Sequence, residues 1–390
     1  MLSDHLSTKQ FLAEYWQKKP VLLKQALADF HDPLSPEELA GLACEDEAEA
    51  RLVFSEAENW RLVSGPFSEQ DFVNLPETGW TLLVQAVDQW FPAVKALQKH
   101  LGFIPDWRLD DVMVSYATEA AGVGPHFDYY DVFIIQGQGS RKWQLGQSCN
   151  ENTSLRVDAA LKILEEFTVH EEFVLEAGDV LYIPPGIAHQ GIALNPSLSY
   201  SIGFRAPSNA ELFIQFAAHL CADLSEDHRY SDPELQIQDN PAEITQQSLA
   251  KVKTLITSIM QNSLQQSDGM EEWFGQLMTR RKYPEHTFLP EPELDADALS
   301  AALANGTELE KHPAARFAFI RHPDALTLFV DGQSFPVAVS NSELGALVLE
   351  LNDRNISKLN LGSYEASAEC LNLLCALYNQ GSLIEVETLN

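Results

Sequence analysis

Two stretches decide how this chain of 390 residues is read: Gly124-Pro125-His126-Phe127-Asp128-Tyr129-Tyr130-Asp131, and later Gly178-Asp179-Val180-Leu181-Tyr182-Ile183-Pro184-Pro185-Gly186-Ile187-Ala188-His189. In an extended strand residues i and i+2 share a face. His126 and Asp128 therefore present an imidazole and a carboxylate side by side. His189 is the candidate third ligand, 63 positions on (189 − 126). Two histidines and one carboxylate on one side of a metal form the facial triad of non-heme Fe(II) oxygenases, which leaves positions open for a co-substrate and O2. His-x-Asp alone is a weak signal, and His322-Pro323-Asp324 repeats it without a matching third ligand. The context of His189 makes the difference: a tight turn at Gly178-Asp179, a short apolar strand over Val180–Ile183, and a rigid Pro184-Pro185-Gly186 turn that presents the histidine.

Outward from these stretches the pattern is one of short strands separated by turn residues. Val112–Ala117, Asp131–Gln136, Arg141–Leu145, Glu172–Leu175, Val180–Ile183 and Ser199–Arg205 read as strands, with a helical insertion near Ala159–Glu166. Such a series fits a double-sheet jelly roll of the cupin type, with the metal site between the sheets. In the Arg141–Leu145 strand, Arg141, Trp143 and Leu145 share one face. The two apolar residues belong inside, so Arg141 is carried inward with them. An inward arginine needs an anion, and the far carboxylate of 2-oxoglutarate suits it as a charge-assisted pair. Ser115, on a neighbouring strand, can add a hydroxyl to that carboxylate.

Before the barrel, Thr8–Lys18 reads as a helix and Val21-Leu22-Leu23 as a strand. Ser35-Pro36-Glu37-Glu38 opens another helix, with proline in the first turn. After the barrel, Ser208-Asn209-Ala210-Glu211 is a capping box that starts an apolar helix over Leu212–Leu224. Two further stripes, Val252/Leu255/Ile256/Ile259/Met260 and Met270/Trp273/Phe274/Leu277/Met278, have helical spacing. Three amphipathic helices make a thin core of their own. They are expected to pack on a second copy, which gives a homodimer; packing on the barrel of the same chain is the alternative. The last hundred residues read as an α+β module with winged-helix character: helix Ala296–Ala304, strand Arg316–Arg321, a Leu326–Val330/Ser334–Val339 hairpin turning at Asp331-Gly332, a helix capped by Ser340, a helix over Tyr364–Tyr378 and a strand Leu383–Val386. The expected fold class is thus α+β, in three parts: a catalytic barrel domain over 1–206, a helical dimerisation region over 207–285 and a winged-helix-like domain over 286–390.

Composition narrows the partners. With 57 acidic and 25 basic residues the formal charge is −32. That disfavours direct nucleic-acid binding, which depends on neutralising phosphates, and it suits a basic partner. The helices of the C-terminal module carry few basic residues, which sets aside a DNA-binding role for it. Five scattered cysteines without a Cys-x-x-Cys read as reduced thiols, pointing to a cytoplasmic protein. Met1-Leu2-Ser3-Asp4-His5 does not read as a signal peptide, and no apolar run approaches a membrane span.

Several segments together resemble the bacterial ribosomal oxygenases of the JmjC/cupin class: Trp16-Gln17-Lys18-Lys19-Pro20-Val21-Leu22-Leu23, Gly122-Val123-Gly124-Pro125-His126-Phe127-Asp128, Asp131–Gly137, Gly178–Gly186 with His189, and Gly203-Phe204-Arg205-Ala206-Pro207. The resemblance spans essentially the whole chain. It implies an Fe(II)-, 2-oxoglutarate- and O2-dependent hydroxylase with a JmjC barrel, a helical dimerisation region and a C-terminal winged helix. It further implies His126, Asp128 and His189 as metal ligands, Arg141 as the co-substrate arginine, and Ser115 as the strand serine of that pattern. The implied substrate is an arginyl residue of a basic large-subunit ribosomal protein. A demethylase of the same fold, and a cupin-like binding protein with a vestigial site, are the competing readings.

Overall fold

The computed structural model describes residues 6–386 apart from 57–58, 158–160, 223, 226, 266, 287–288, 339–341, 362–363 and 365–366. The chain opens with helix α1 (Thr8–Glu14), whose N-cap Ser7 accepts from the Gln10 amide, and strand β1 (Val21–Leu23). α1 stops short of Lys18 because the chain turns at Gln17, where φ is 56°, and the Gln17 amide donates to the Tyr182 hydroxyl. Helix α2 (Pro36–Leu42) begins, as expected, at a capping box between Ser35 and Glu38. Strands β2 (Ala50–Glu56), β3 (Asn59–Ser64) and β4 (Trp80–Val84), with the short helices α3 (Glu69–Val73) and α4 (Pro92–Lys95), precede the barrel strands proper. Those are β5 (Leu109–Ala117), β6 (Val132–Gln136), β7 (Ser140–Ser148), β8 (Glu171–Glu176), β9 (Val180–Ile183), β10 (Ile187–Ala193) and β11 (Ser197–Phe204).

These strands form two antiparallel sheets. The large one runs β1-β9-β6-β11-β5-β4-β2-β3 and the small one β10-β7-β8. Strand β6 is buried on both faces, which explains its unbroken apolar run. Its Val132 and Ile134 face the small sheet and pack with Trp143, Leu145, Leu175, Leu181 and Ile183. Its Phe133 and Ile135 face outward, into a core closed by Phe11, Leu39 and Leu101 from the N-terminal segments. The arrangement is the double-stranded β-helix expected from the strand pattern.

One local expectation is overturned. The described residues 161–166 of the supposed insertion are not helical; Leu155 and Leu164 pair as an isolated bridge instead. Ile163 and Leu164 are almost wholly buried, and the Leu164 amide donates to the Pro125 carbonyl. Tertiary burial at the edge of the site outweighs the helix propensity of this leucine- and glutamate-rich stretch.

Beyond the barrel come α5 (Asn209–Ala222), α6 (Gln246–Gln265) and α7 (Ser267–Thr279). The apolar stripe of α7 is satisfied within the chain. Trp273 and Met278 are buried, the Trp273 ring meets Phe216 of α5 at 5.0 Å, and Gly275 leaves room for the Phe329 ring. The α6 stripe is not covered: Val252, Leu255 and Ile256 are exposed, as are Phe213 and Ile214 of α5. The C-terminal module contains α8 (Ala296–Ala304), β12 (Leu309–Lys311), β13 (Phe317–Arg321), β14 (Ala325–Val330), β15 (Gln333–Ala338), α9 (Ser342–Leu351), α10 (Ala368–Asn379) and β16 (Leu383–Glu385). β12 pairs with β16, and β13-β14-β15 form a meander turning, as expected, at Asp331-Gly332. Ser340, the expected cap of α9, lies outside the described residues. The module is fastened to the barrel by Arg316, which donates to the carbonyls of Leu109 and Asp110 and to the Asp110 carboxylate.

Candidate metal centre and its cavity

Strands β5 and β11 carry an unusual alternation. Val112 and Val114, with Leu198, Tyr200 and Ile202, face the outer core, so the inner face is left to Asp111, Met113, Ser115, Ser197, Ser199 and Ser201. A polar inner face between two sheets leaves a cavity rather than a packed core. It measures about 620 Å³, and His126, Asp128, Arg141 and His189 are among the residues that line it.

His126 and Asp128 lie in the segment between β5 and β6. That segment is not the strand the i, i+2 pattern suggested, because Pro125 has no amide to give and Gly124 has a φ of 81°. Only His126 pairs, through an isolated two-way bridge to His189: each amide donates to the other's carbonyl, at 3.0 and 2.8 Å. The segment also runs close against β10. A Cβ on Gly122 would stand 2.3 Å from the Gly191 carbonyl oxygen. His189 is on β10 opposite Leu145 of β7, just after a register irregularity, and the Gly186 amide of the preceding turn donates to the Asp128 carbonyl at 2.7 Å. The three candidate ligands are thus held together by backbone hydrogen bonds.

The side chains complete the arrangement. One ligand atom from each of His126, Asp128 and His189 lies within 4.8 Å of the others. Each imidazole places Nδ1 against a carbonyl, Gly124 at 2.9 Å for His126 and Ile187 at 2.8 Å for His189. A carbonyl can only accept, so Nδ1 carries the proton and Nε2 is left as a lone-pair donor. Burial first, and then the neighbouring His126, hold His189 down at about 4, which keeps it neutral. Burial and the Asp128 carboxylate push the Tyr130 phenol well above its ordinary range. Two imidazoles and a carboxylate on one side fit a divalent transition metal.

Arg141 is buried on the inner face of β7 together with Trp143 and Leu145, as the alternation required. Its Nε donates to Ser197 Oγ at 2.9 Å and its Nη1 to Ser115 Oγ at 2.6 Å. Its Nη2 donates to the carbonyls of Ser115 and Ser197. Four of the five guanidinium N–H groups are thereby used, all on neutral acceptors. Among the described residues no carboxylate comes within 4 Å of it, and burial lowers it to about 9. A buried cation without a counter-charge is costly, and an anion entering the cavity would offset that cost. Ser115 reaches Arg141 from the opposite sheet and not from a neighbouring strand, and its hydroxyl also meets Ser199 Oγ at 2.9 Å. Sequence reasoning missed Ser197 and Ser199. The available signal was the run of serines at alternate positions along β11.

The cavity also carries charged residues beside the candidate ligands. Glu49, Asp110 and Asp111 line it, and Lys282 sits 2.9 Å from both aspartates. A family model described as a JmjC domain matches residues 96–212, and one described as a ROXA-like winged helix matches 260–384. The ribosomal protein uL16 3-hydroxylase of Escherichia coli (strain K12) is 36% identical over 382 residues, covering 96% of this chain and 97% of that protein. The chain belongs to the JmjC-domain ribosomal oxygenases. A probable ribosomal oxygenase of Haemophilus influenzae is 37% identical over 243 residues, 61% of this chain and 57% of the relative. The X-ray structure of E. coli ycfD superposes with a TM-score of 0.82 at 35% identity, covering 98% of each chain. A structure of that E. coli ribosomal oxygenase in complex with cobalt and 2-oxoglutarate gives 0.81 at 34% identity, over 98% of this chain and 99% of the other.

Proposed function

We propose that this ribosomal oxygenase uses Fe(II), 2-oxoglutarate and O2 to hydroxylate an arginine side chain of a large-subunit ribosomal protein, uL16 by its similarity to the E. coli enzyme. The observation that carries the reading is one cavity holding both a His-Asp-His donor set and a buried arginine with no carboxylate partner. The bound iron and 2-oxoglutarate supply the oxidising power: one oxygen of O2 goes into a substrate C–H bond, the other into succinate, with release of CO2.

The chain's own groups bind, orient and exclude water. His126, Asp128 and His189 hold the metal from one side, their spacing fixed by the backbone bridge. Arg141 takes the far carboxylate of 2-oxoglutarate, and Ser115 and Ser197 hold the guanidinium fork in place. The apolar wall of Val132, Ile134 and Trp143 keeps the inner end of the cavity dry. Asp110 and Asp111 are bridged by Lys282, which leaves Glu49 and the strongly acidic chain as a whole to favour a basic protein at the cavity.

The exposed apolar stripe on α6, continued by Phe213 and Ile214 of α5, supports a homodimer formed through the 207–285 region. We take 1–206 as the catalytic domain and 286–390 as the winged-helix-like domain. Unpaired cysteines and a ribosomal-protein substrate favour a cytoplasmic location, with no membrane and no direct nucleic-acid partner. No helix among the described residues is long and apolar enough to cross a membrane.

The test is aerobic incubation of the Fe(II)-loaded protein with 2-oxoglutarate and uL16 peptides, read by intact mass and fragmentation. One added oxygen on an arginine, absent with His126→Ala, is the expected result. Some partial relatives are described as bifunctional lysine-specific demethylase and histidyl-hydroxylase, one of them 38% identical over 85 residues. Loss of a methyl group from a methylated peptide would therefore replace the hydroxylase reading with that one. An unchanged peptide with no succinate formed would remove both.

A further inference from the structure

A second cavity of about 250 Å³ lies between the barrel and the C-terminal module, outside the metal site. Three lysines converge on it. Lys95 ends the short helix α4 (Pro92–Lys95) and Lys99 lies in the 3-10 turn Ala96–Leu101, both on the barrel side; Lys311 ends β12 on the other side. In a chain carrying a net −32, none of the three has a carboxylate within 4 Å among the described residues. Lys95 Nζ donates to the Pro313 carbonyl at 2.6 Å. Lys99 Nζ reaches the Asn355 carbonyl at 3.5 Å, and Lys311 Nζ donates to the carbonyls of Asp353 and Leu351 at 2.7 and 3.3 Å. An ammonium has three donors. Two on Lys95, two on Lys99 and one on Lys311 are therefore left over.

The acids in the same crevice are committed elsewhere or stand apart. Asp106 pairs with Arg354, and Asp110 pairs with Arg316. Buried Asp88 accepts from the Val112 amide and the Gln98 side chain, and its charge reaches Lys95 from beyond ion-pair distance. Glu310 lines the crevice without an ion pair to any of the three lysines. Burial lowers both Lys95 and Lys311; Asp88 opposes this at Lys95, and Asp353 and Glu350 oppose it at Lys311, while Lys95 and Lys99 add to the depression of Lys311 across the gap.

We propose that this crevice is a binding site for a small phosphate-bearing anion that bridges the barrel and the winged-helix domain. The chemistry favours phosphate over carboxylate. The two crevice arginines, whose planar forks match carboxylates, are already occupied, and what remains is three ammonium point charges converging from different elements. A tetrahedral group with acceptor oxygens in several directions satisfies donors so placed, and a di- or triphosphate would use all three lysines. Asp110 lines both this crevice and the catalytic cavity, so the two share a wall.

The probe is inorganic pyrophosphate, titrated calorimetrically into the full-length, metal-free protein with chelator present and ionic strength held constant by NaCl. We expect saturable one-to-one binding and a rise in melting temperature. Lys95→Met/Lys311→Met should weaken binding about tenfold or more, as loss of charge-assisted contacts requires. Arg141→Met, which removes the buried arginine of the catalytic cavity, should leave it intact. Should the double variant fail to fold, Lys99→Met at the exposed rim serves in its place, with an expected weakening of about threefold. Absence of saturable binding overturns the proposal. So does binding that survives the lysine substitutions, or binding lost with Arg141→Met, which would place the anion in the co-substrate site.

Discussion

Arg141→Met separates the two things a buried arginine can do, and the structure sets the magnitude of each. In the protein without co-substrate, the guanidinium makes four hydrogen bonds, to Ser115 and Ser197 alone. Its removal strands buried acceptors, each costing about 1–3 kcal/mol at most, but also sheds a buried and uncompensated positive charge. The two effects oppose each other, so apo stability should change by no more than about 3 kcal/mol. With 2-oxoglutarate bound the balance is one-sided. Loss of one partner of a buried, hydrogen-bonded charge pair costs about 2–4 kcal/mol, or roughly 30- to 1000-fold in affinity. The assay is 2-oxoglutarate binding to the protein loaded with a redox-inert divalent metal, together with the 2-oxoglutarate KM of the iron enzyme and a denaturant melt. Metal affinity should be unaffected, because Arg141 touches none of the three ligands. An unchanged 2-oxoglutarate affinity would refute the co-substrate role. A large loss of apo stability would show that the guanidinium is a structural strut.

Three further outcomes follow from the same geometry. Burial lowers Arg141 to about 9, so the folded protein gives up this charge at a lower pH than the unfolded chain does. Unfolded chains then bind more protons, apo stability contributed by this group rises from about pH 9 upward, and 2-oxoglutarate KM should climb above pH 9 in the wild type but not in Arg141→Met. Ser197→Ala removes the acceptor of Arg141 Nε, a hydrogen bond to a charged group worth about 1.5–3 kcal/mol, and should raise 2-oxoglutarate KM by about tenfold with kcat nearly unchanged. Leu255→Glu with Ile256→Glu places charges on the exposed α6 stripe. Light scattering should then show a monomer whose melting is within about 0.5 kcal/mol of wild type when extrapolated to the monomer, since neither residue is buried in the chain.

The residues readable from sequence were those whose types are rare in their surroundings. His126, Asp128 and His189 stand out from strand and turn context, and Arg141 was placed inside by the apolar residues that alternate with it. Ser197 and Ser199 escaped because serine is unremarkable in a strand; only the register of β11 against β5 shows that they flank Ser115 and Arg141. Glu49, Asp110, Asp111 and Lys282 come from separate parts of the chain, and no local pattern joins them. The helical insertion failed for a different reason: residues 161–166 have helix-forming composition, but burial of Ile163 and Leu164 beside the site decides their conformation. The α6 and α7 stripes look alike on paper. Periodicity shows that a face is apolar and not what covers it, and only α7 found its cover within the same chain.

The two candidate histidine ligands are joined by their own main chains, amide to carbonyl in both directions. The clasp uses no side chain, and what it asks of its surroundings is the close approach of Gly122 to Gly191. Apart from those glycines, the walls of this cavity are free to drift through mutation, toward a different target residue or a different protein, without opening the clasp. Such a scaffold can change its customers while keeping its chemistry, and relatives acting on unlike substrates are the outcome to expect from it.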